Sequence, residues 1–595
     1  MRDYCTARTV GTSLVALLCL LLISCGKPTD VAPPALPGGG AETSPSEPQV
    51  SARACLGDDE KAYIWDLEHH GNLLGKHGFK PMADALSRAD RPALLNLLAA
   101  DFTGQTLGNP REVRMSAEFG EAVRLEDSGS EAIPLTAEEF VDQLLELRKP
   151  YSQPPKASFS LMTLSPVKRG ELDGPWQGTS MLRMWGETQP GQPREVTLFL
   201  SYRLARPKRE TLSAGRWLAS CAVTQTLVAH ASHYLMREVA TQRGVDVASL
   251  HDSWKQQDKQ TKSNSPIGGV YLCDFNRDGY LDLLITDAQR FILYKGLPGG
   301  GFKDVTMEVG LPTRPMSSTP SSHIAAFADL DGDGWEDLIL GGNVYRNMEG
   351  KSFKQMAIQP PLPLDALDVA VADFDCDGKV DLYLIRPSEP GAASWLSGRA
   401  GKARPNKLWR NLGNWRFEDV TESCGGVGGG GRSTFTAVWL DANNDGLPDL
   451  YVINEFGDGI LYVNQGGGKF RAQPIVDQPC DFGTMGVICG DIDNDGNIDI
   501  YCANMYSKAG SRVMSNLRPD AYPPEIMAKM RRFVTGSQLH RNLGNLKFEQ
   551  MGPKWQVAAV GWAYGAALVD LDNDGFLDIF APCGYVSRDR SEPDG

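Results

Sequence analysis

From about residue 265 onward, apolar residues fall in short runs of four to six, each ending in an acidic loop or a glycine turn. Ile324-Ala325-Ala326-Phe327 leads into one such loop, and Asp381-Leu382-Tyr383-Leu384-Ile385 leaves another. Short apolar runs between turn signals, rich in β-branched and aromatic residues, predict strands joined as hairpins. The earlier part of the chain reads differently. Helical periodicity predicts helices near 60–76, 80–88 and 91–101, and Thr136 followed by Glu139 forms a capping box that opens a helix through Leu147. Four long strands follow near 157–167, 176–187, 194–205 and 215–229. In the third, Val196, Leu198, Leu200 and Tyr202 share one face. Helices followed by a meander of strands predict an α+β domain over 56–230. Residues 231–263 read as a helical and polar connector, and 264–595 as a mainly β domain.

The β region is a repeat. The nine-residue pattern D-x-[DN]-x-D-G-x-x-D occurs six times, starting at Asp274, Asp329, Asp373, Asp441, Asp491 and Asp570. Positions 1, 3, 5 and 9 offer side-chain oxygens, and position 7 can add a backbone carbonyl. The sets are Asp274, Asn276, Asp278, Tyr280 and Asp282; Asp329, Asp331, Asp333, Trp335 and Asp337; Asp373, Asp375, Asp377, Lys379 and Asp381; Asp441, Asn443, Asp445, Leu447 and Asp449; Asp491, Asp493, Asp495, Asn497 and Asp499; Asp570, Asp572, Asp574, Phe576 and Asp578. Hard oxygen donors in this number suit Ca²⁺, and the glycine at position 6 permits the sharp bend. An EF-hand would need an acidic residue at position 12. Here that position holds Ile285, Leu340, Leu384, Val452, Cys502 and Ala581, so the loops join strands rather than helices. By charge count, the two loops with Asn at position 3 are expected to release calcium first.

Two further signatures follow the loops: an aromatic or His before a polar pair (Tyr345-Arg346-Asn347, Trp409-Arg410-Asn411, His540-Arg541-Asn542, more loosely Tyr462-Val463-Asn464), and a Phe strand at Phe302, Phe353, Phe417, Phe470 or Phe548. Four antiparallel strands per repeat make a propeller blade. On these motifs residues 265–595 resemble the FG-GAP/VCBS repeat family, which includes the integrin α-subunit head and cartilage acidic protein; Phe417-Glu418-Asp419-Val420-Thr421 resembles the strand ending repeats in the latter's relatives. The resemblance implies a calcium-binding β-propeller. Family propellers usually close with seven blades, whereas six motifs are present: either the chain is truncated, or other segments complete the last blade, or closure is atypical. The order of elements in 56–230 resembles the NTF2-like cone.

Composition narrows the function. A formal net charge of −15 and a pI of about 5.1 argue against a nucleic-acid-binding surface. Residues 1–24 read as a signal peptide: Arg2 and Arg8 precede an apolar stretch from Leu14 to Ile23. Leu22-Ile23-Ser24-Cys25 resembles the lipobox of bacterial lipoproteins, which implies acylation of Cys25 and a membrane anchor at the cell envelope. Residues 25–55 read as a flexible tether. Export permits disulfides, and Cys489 and Cys502 flank one predicted hairpin, either as a bridge or as two buried thiols.

Two insertions break the repeat rhythm, from Arg386 to Asn406 and from Ala503 to Gln538. Both are basic against an acidic chain. In the second, Arg512, Lys529, Arg531 and Arg532 are the candidate contacts for an anionic glycan or protein ligand. No G-x-S-x-G, H-E-x-x-H or P-loop motif is present. The expected function is a displayed, calcium-stabilised propeller for binding or adhesion. The alternatives are a polysaccharide lyase or hydrolase with its site in the propeller funnel, and a small-molecule site in the N-terminal module.

Overall fold

The computed structural model describes residues 57–583, apart from 118, 251–267, 288, 316–323, 387–403, 430–433, 455–456, 477–482, 505, 507 and 562. Cys25, the tether and most of the first insertion lie outside the described residues. The chain divides into two compact units: one holds residues up to 238 together with 507–524, the other 239–506 with 525–592.

The first unit is α+β. Helix α1 (Asp58–Leu73) passes through a π turn at Leu74–Phe79 into α2 (Lys80–Arg88), which ends at Ala89 in the left-handed region. Asp90 then caps α3 (Arg91–Leu97) by accepting from the Ala93 N–H. The third expected helix stops there, because its last residues begin strand β1 (Leu98–Thr106). Strands β2 (Arg111–Ala117), β3 (Gly120–Glu126) and β4 (Ile133–Leu135) follow, and the capping box at Thr136 opens α4 (Ala137–Glu146) as expected. Strands β5 (Lys156–Pro166), β6 (Trp176–Gln189), β7 (Gln192–Leu204) and, after the short α5 (Arg209–Ala214), β8 (Leu218–Ala231) complete an eight-stranded sheet. Its main path runs β2-β3-β8-β7-β6-β5. Val196, Leu198, Leu200 and Tyr202 are buried together, with Phe79 stacked on Phe159 and edge-on to Tyr202 and Trp217.

Strand β5 ends the sheet, so its outward carbonyls need partners. Helix α6 (Lys508–Asn516), which belongs to the second insertion, supplies them: Arg512 Nη1 donates to Leu161 O and Asn516 Nδ2 to Leu164 O. Arg512 is buried beside Glu68, with Nε donating to Oε1 at 2.8 Å. This corrects its assignment to an exposed ligand patch: a guanidinium enclosed with a carboxylate is already neutralised. Arg169 pairs with the buried Glu60 at 2.6 Å, and the Arg518 N–H donates to the same carboxylate. Tyr522 is buried as well.

Among the described residues, the second unit is a propeller of five four-stranded antiparallel sheets and a sixth, two-stranded sheet at 567–580. The first blade is β9 (Val270–Cys273), β10 (Asp282–Thr286), β11 (Phe291–Leu297) and β12 (Gly301–Asp304), paired in chain order. The next four span 325–356, 368–419, 434–473 and 484–550 with the same order. The first strands of successive blades are neighbours, which sets them innermost. In the second to fifth blades each second strand is buried along its whole length and therefore reads as an unbroken apolar run. In the third blade Leu382 and Leu384 face the core shared with the second, while Tyr383 and Ile385 face the core shared with the fourth. Among the described residues the first blade has no such neighbouring blade on its other side. There Val245, with Ala240 and Leu250, covers Ile292, Tyr294, Leu283 and Ile285. Two 3-10 turns, Thr241–Arg243 and Val247–Ser249, form this cover where the sequence had suggested a helical connector. Cys489 lies opposite Ile500, and Cys502 opposite Val487, in the fifth blade, and the two are not joined in a disulfide.

The blades are stitched by one residue. Asn347, Asn411, Asn464 and Asn542 are each at least 98% buried. Each side-chain amide donates to the position-8 carbonyl of its own loop and, at 2.8 to 2.9 Å, to the position-2 carbonyl of the preceding blade's loop. The first blade has Gly296 at this place. The segment Asp419-Val420-Thr421 closes a blade in a comparable way. Asp419 Oδ1 accepts from the Thr421 N–H and hydroxyl, and Thr421 Oγ1 accepts from the Leu408 N–H.

Replacing Asn411 by Ala should strand the carbonyls of Leu330 and Val380 without donors. Buried polar groups left unpaired in this way should destabilise the propeller by about 2 to 3 kcal/mol, read from urea denaturation of the full chain.

Candidate metal centres

All six acidic loops adopt one conformation. Position 4 lies in the left-handed region (Arg277, Cys376, Asn444, Asn494 and Asn573, with φ of 55° to 59°, and Gly332), as does the glycine at position 6. The sequence pattern leaves position 4 open, so this constraint was missed, although Asn and Gly at four of the six places carried the signal. The turn aims backbone N–H groups inward. The position-1 carboxylate accepts from the N–H of position 5 on Oδ1 and from the N–H of the position-6 glycine on Oδ2 in every loop, at 2.8 to 3.1 Å. Position 5 accepts from the N–H of position 7.

The position-9 aspartate differs from the others. Asp282, Asp337, Asp381, Asp449 and Asp499 are no more than 1% exposed. One oxygen accepts from the N–H of position 2, and the other from a backbone N–H on the third strand of the same blade. Burial pushes the carboxyls of Asp337 and Asp381 up to about 7, and those of Asp282, Asp449 and Asp499 up to about 6; the donated hydrogen bonds pull the other way.

Three-carboxylate clusters with oxygens within 4.8 Å of one another occur at Asp329, Asp331 and Asp333; Asp373, Asp375 and Asp381; Asp491, Asp493 and Asp499; and Asp570, Asp572 and Asp574. The loops with Asn276 and Asn443 hold one carboxylate fewer. Asp375 Oδ1 and Asp493 Oδ1 are buried without a hydrogen-bond partner. Buried carboxylate oxygens without donors, beside other carboxylates, fit a hard cation and would be strongly unfavourable without one. The residues that would hold it are those at positions 1, 3, 5 and 9; Tyr280, Trp335, Lys379, Leu447, Asn497 and Phe576 enter through their main chain at position 7.

The candidate ligand residues of the second insertion are separated by the fold. Arg512 belongs to the first unit, as described. Lys529, Arg531 and Arg532 lie on α7 (Pro524–Thr535), with Arg531 exposed and the other two half-buried. In the first insertion, the described Arg386 and Arg404 both pair with Asp365.

The position-9 carboxyls titrate higher in the folded chain than in the unfolded one. Their contribution to stability is therefore fully present below the ordinary carboxylate range and is lost as pH rises through 6 to 7. Asp278, Asp377 and Asp495 shift downward, so they titrate below that window. Metal-stripped protein should therefore show a propeller melting temperature that falls from about pH 5.5 to about pH 8, whereas a saturating divalent cation should flatten the slope. Thermal melts across pH, with and without metal, check this.

A family model described as FG-GAP-like repeat matches residues 274–340 and 441–502, which contain the first and second, and the fourth and fifth, loops. Cartilage acidic protein 1 of Homo sapiens is 23% identical over 340 residues, 53% of this chain and 47% of that protein. The Mus musculus protein is 27% identical over 340 residues, 53% of this chain and 48% of its own length. The chain thus spans about half the length of the curated relatives it matches. Among solved structures, the crystal structure of a mutant of AofleA from Arthrobotrys oligospora aligns over 79% of this chain and 89% of its own, at 10% identity and a TM-score of 0.21, a likeness too weak to bear on function. Residues 274–340 and 441–502 thus match FG-GAP-like repeats, and about half of the chain is similar to cartilage acidic protein 1.

Proposed function

We propose that the chain is a calcium-stabilised propeller displayed at the cell envelope to bind a protein or glycan ligand. The observation that carries the metal reading is the pair of buried, donorless oxygens on Asp375 and Asp493, set within converging carboxylates of a repeated loop. Calcium suits them because it accepts six to eight oxygens in irregular geometry, whereas Mg²⁺ demands a stricter octahedron. A binding role is favoured over hydrolysis because the loop carboxylates are engaged by backbone donors and neighbouring cations, which leaves them without a proton-transfer role. For the ligand, the exposed Arg531 with Lys529 and Arg532 on α7 supports an anionic group, such as an acidic glycan or protein face.

Calcium titration and thermal melts of the full chain test the metal reading. Calcium should raise the propeller melting temperature and a chelator should lower it; purified protein that neither contains nor binds calcium would overturn the reading. A glycan and protein binding screen with and without calcium tests recognition, and turnover of a bound polysaccharide would favour the enzyme instead. The envelope location rests on the Leu22–Cys25 sequence. Detergent-phase partition of the exported protein should be lost in Cys25→Ala.

A further inference from the structure

In the first, second, third and fifth blades the third strand brings a cation to the same carboxylate oxygens. In the second, third and fifth blades that cation is the arginine of the aromatic-Arg-Asn signature. Arg346, Arg410 and Arg541 place Nη2 at 2.9 to 3.2 Å from the position-5 Oδ2 of their own loop. Their Nε atoms lie 2.5 to 2.7 Å from the position-3 Oδ2, an ionic contact without hydrogen-bond alignment. Lys295 reaches the same position-5 oxygen in the first blade, on Asp278, at 2.9 Å. The fourth blade has the buried Val463 in the arginine's place, and there Asn443 at position 3 donates its own amide to Asp445 Oδ2 at 2.9 Å.

The substitutions compensate. Where position 3 is Asp, the strand supplies a guanidinium; where the strand supplies none, position 3 is Asn. At positions 1, 3, 5 and 9, four carboxylates with one arginine, or three with none, leave three negative charges uncompensated in the second, fourth and fifth loops; in the third, Lys379 also meets Asp377 Oδ2 at 3.1 Å and two remain. The first loop, with Asn276 and Lys295, keeps two.

We propose that Arg346, Arg410 and Arg541 are affinity-setting residues of the calcium loops: each stabilises its metal-free loop and thereby weakens metal binding there. The inference rests on the calcium reading above. A guanidinium beside four carboxylates is attracted by all of them. Once a dication sits among them, its repulsion of the guanidinium cancels roughly half of that attraction. An interaction stronger in the free state than in the bound state opposes binding by that difference. The arginines hold only the outer oxygens, so the inner oxygens of Asp375 and Asp493 stay available to metal. With side chains 30 to 40% exposed, solvent screens the pairs. Each arginine should therefore shift affinity by about two- to fivefold. The first and third loops, with the smallest excess of negative charge, become the weakest, while the Asn443 loop ranks with the second and fifth; this revises the order that counting carboxylates alone suggests.

The test uses the full chain and Tb³⁺ as a luminescent calcium probe. Trp335 sits at position 7 of the second loop, so the emission that disappears in Trp335→Phe reports that loop. Arg346→Met should tighten Tb³⁺ binding at this loop about two- to fivefold and lower the metal-free melting temperature. Arg346→Lys, which keeps the charge, should stay near wild type in both. Arg410→Met and Arg541→Met, followed by calcium titration, should each tighten one macroscopic constant and decide the matter if Arg346→Met does not fold. Unchanged or weaker binding in the Met variants, with metal still bound, would overturn the proposal and make the arginines plain scaffolding or positioning groups. Absence of Tb³⁺ and Ca²⁺ binding in the wild type would instead overturn the calcium reading.

Discussion

The propeller depends on a carboxylate buried where water cannot reach it. Position 9 of each complete repeat places an aspartate under the loop, and its two oxygens tie the loop's second residue to the third strand of the same blade. Removing such a carboxylate from water is costly unless hydrogen bonds replace the lost hydration. Here two backbone donors do so, and the upward shift of these carboxyls shows that they do so incompletely. The adjacent asparagine extends the arrangement from one blade to the next. It explains why the signature ends in Asn: only a side chain with two N–H groups and an acceptor can serve two carbonyls while accepting from a glycine N–H.

The same architecture gathers negative charge at one place in each blade. Carboxylates within 4.8 Å of one another repel, and the chain answers in three ways. Backbone N–H groups surround the first aspartate, cations or amides from the strand and from position 3 meet the outer oxygens, and the remaining inner oxygens match a metal ion. These are layers of one electrostatic solution: in the blade where Val463 stands in the arginine's place, Asn443 stands in place of an aspartate.

In the other unit, the open edge of β5 had to be covered, and a segment distant in sequence does it. Arg512 and Asn516 complete the edge carbonyls, while Glu68 neutralises the guanidinium. The feature that drew attention in the sequence, a basic island on an acidic chain, is therefore in part an internal packing device.

Local chemistry was legible from the residues themselves. The spacing of Asp and Gly in 274–282 and its five copies dictates a bent loop with converging oxygens, because those oxygens and that bend lie within nine consecutive residues. The absence of an acid at position 12 excluded the helix-flanked alternative, and the short apolar runs on either side gave the strands. The capping box at Thr136 was equally local. What the sequence could not show was which distant groups would meet. Nothing in the letters of Trp409-Arg410-Asn411 says that the arginine returns to Asp375 and Asp377 while the asparagine reaches Leu330 in the preceding blade. Nor could charge counting distinguish Arg512, enclosed with Glu68, from the exposed Arg531 of the same insertion. Solvation decides what a charge does, and solvation is set by neighbours remote in the chain. The sequence by itself determined the repeat, its loops and their metal-like donor set; the tertiary structure decided which charges are compensated, and by what.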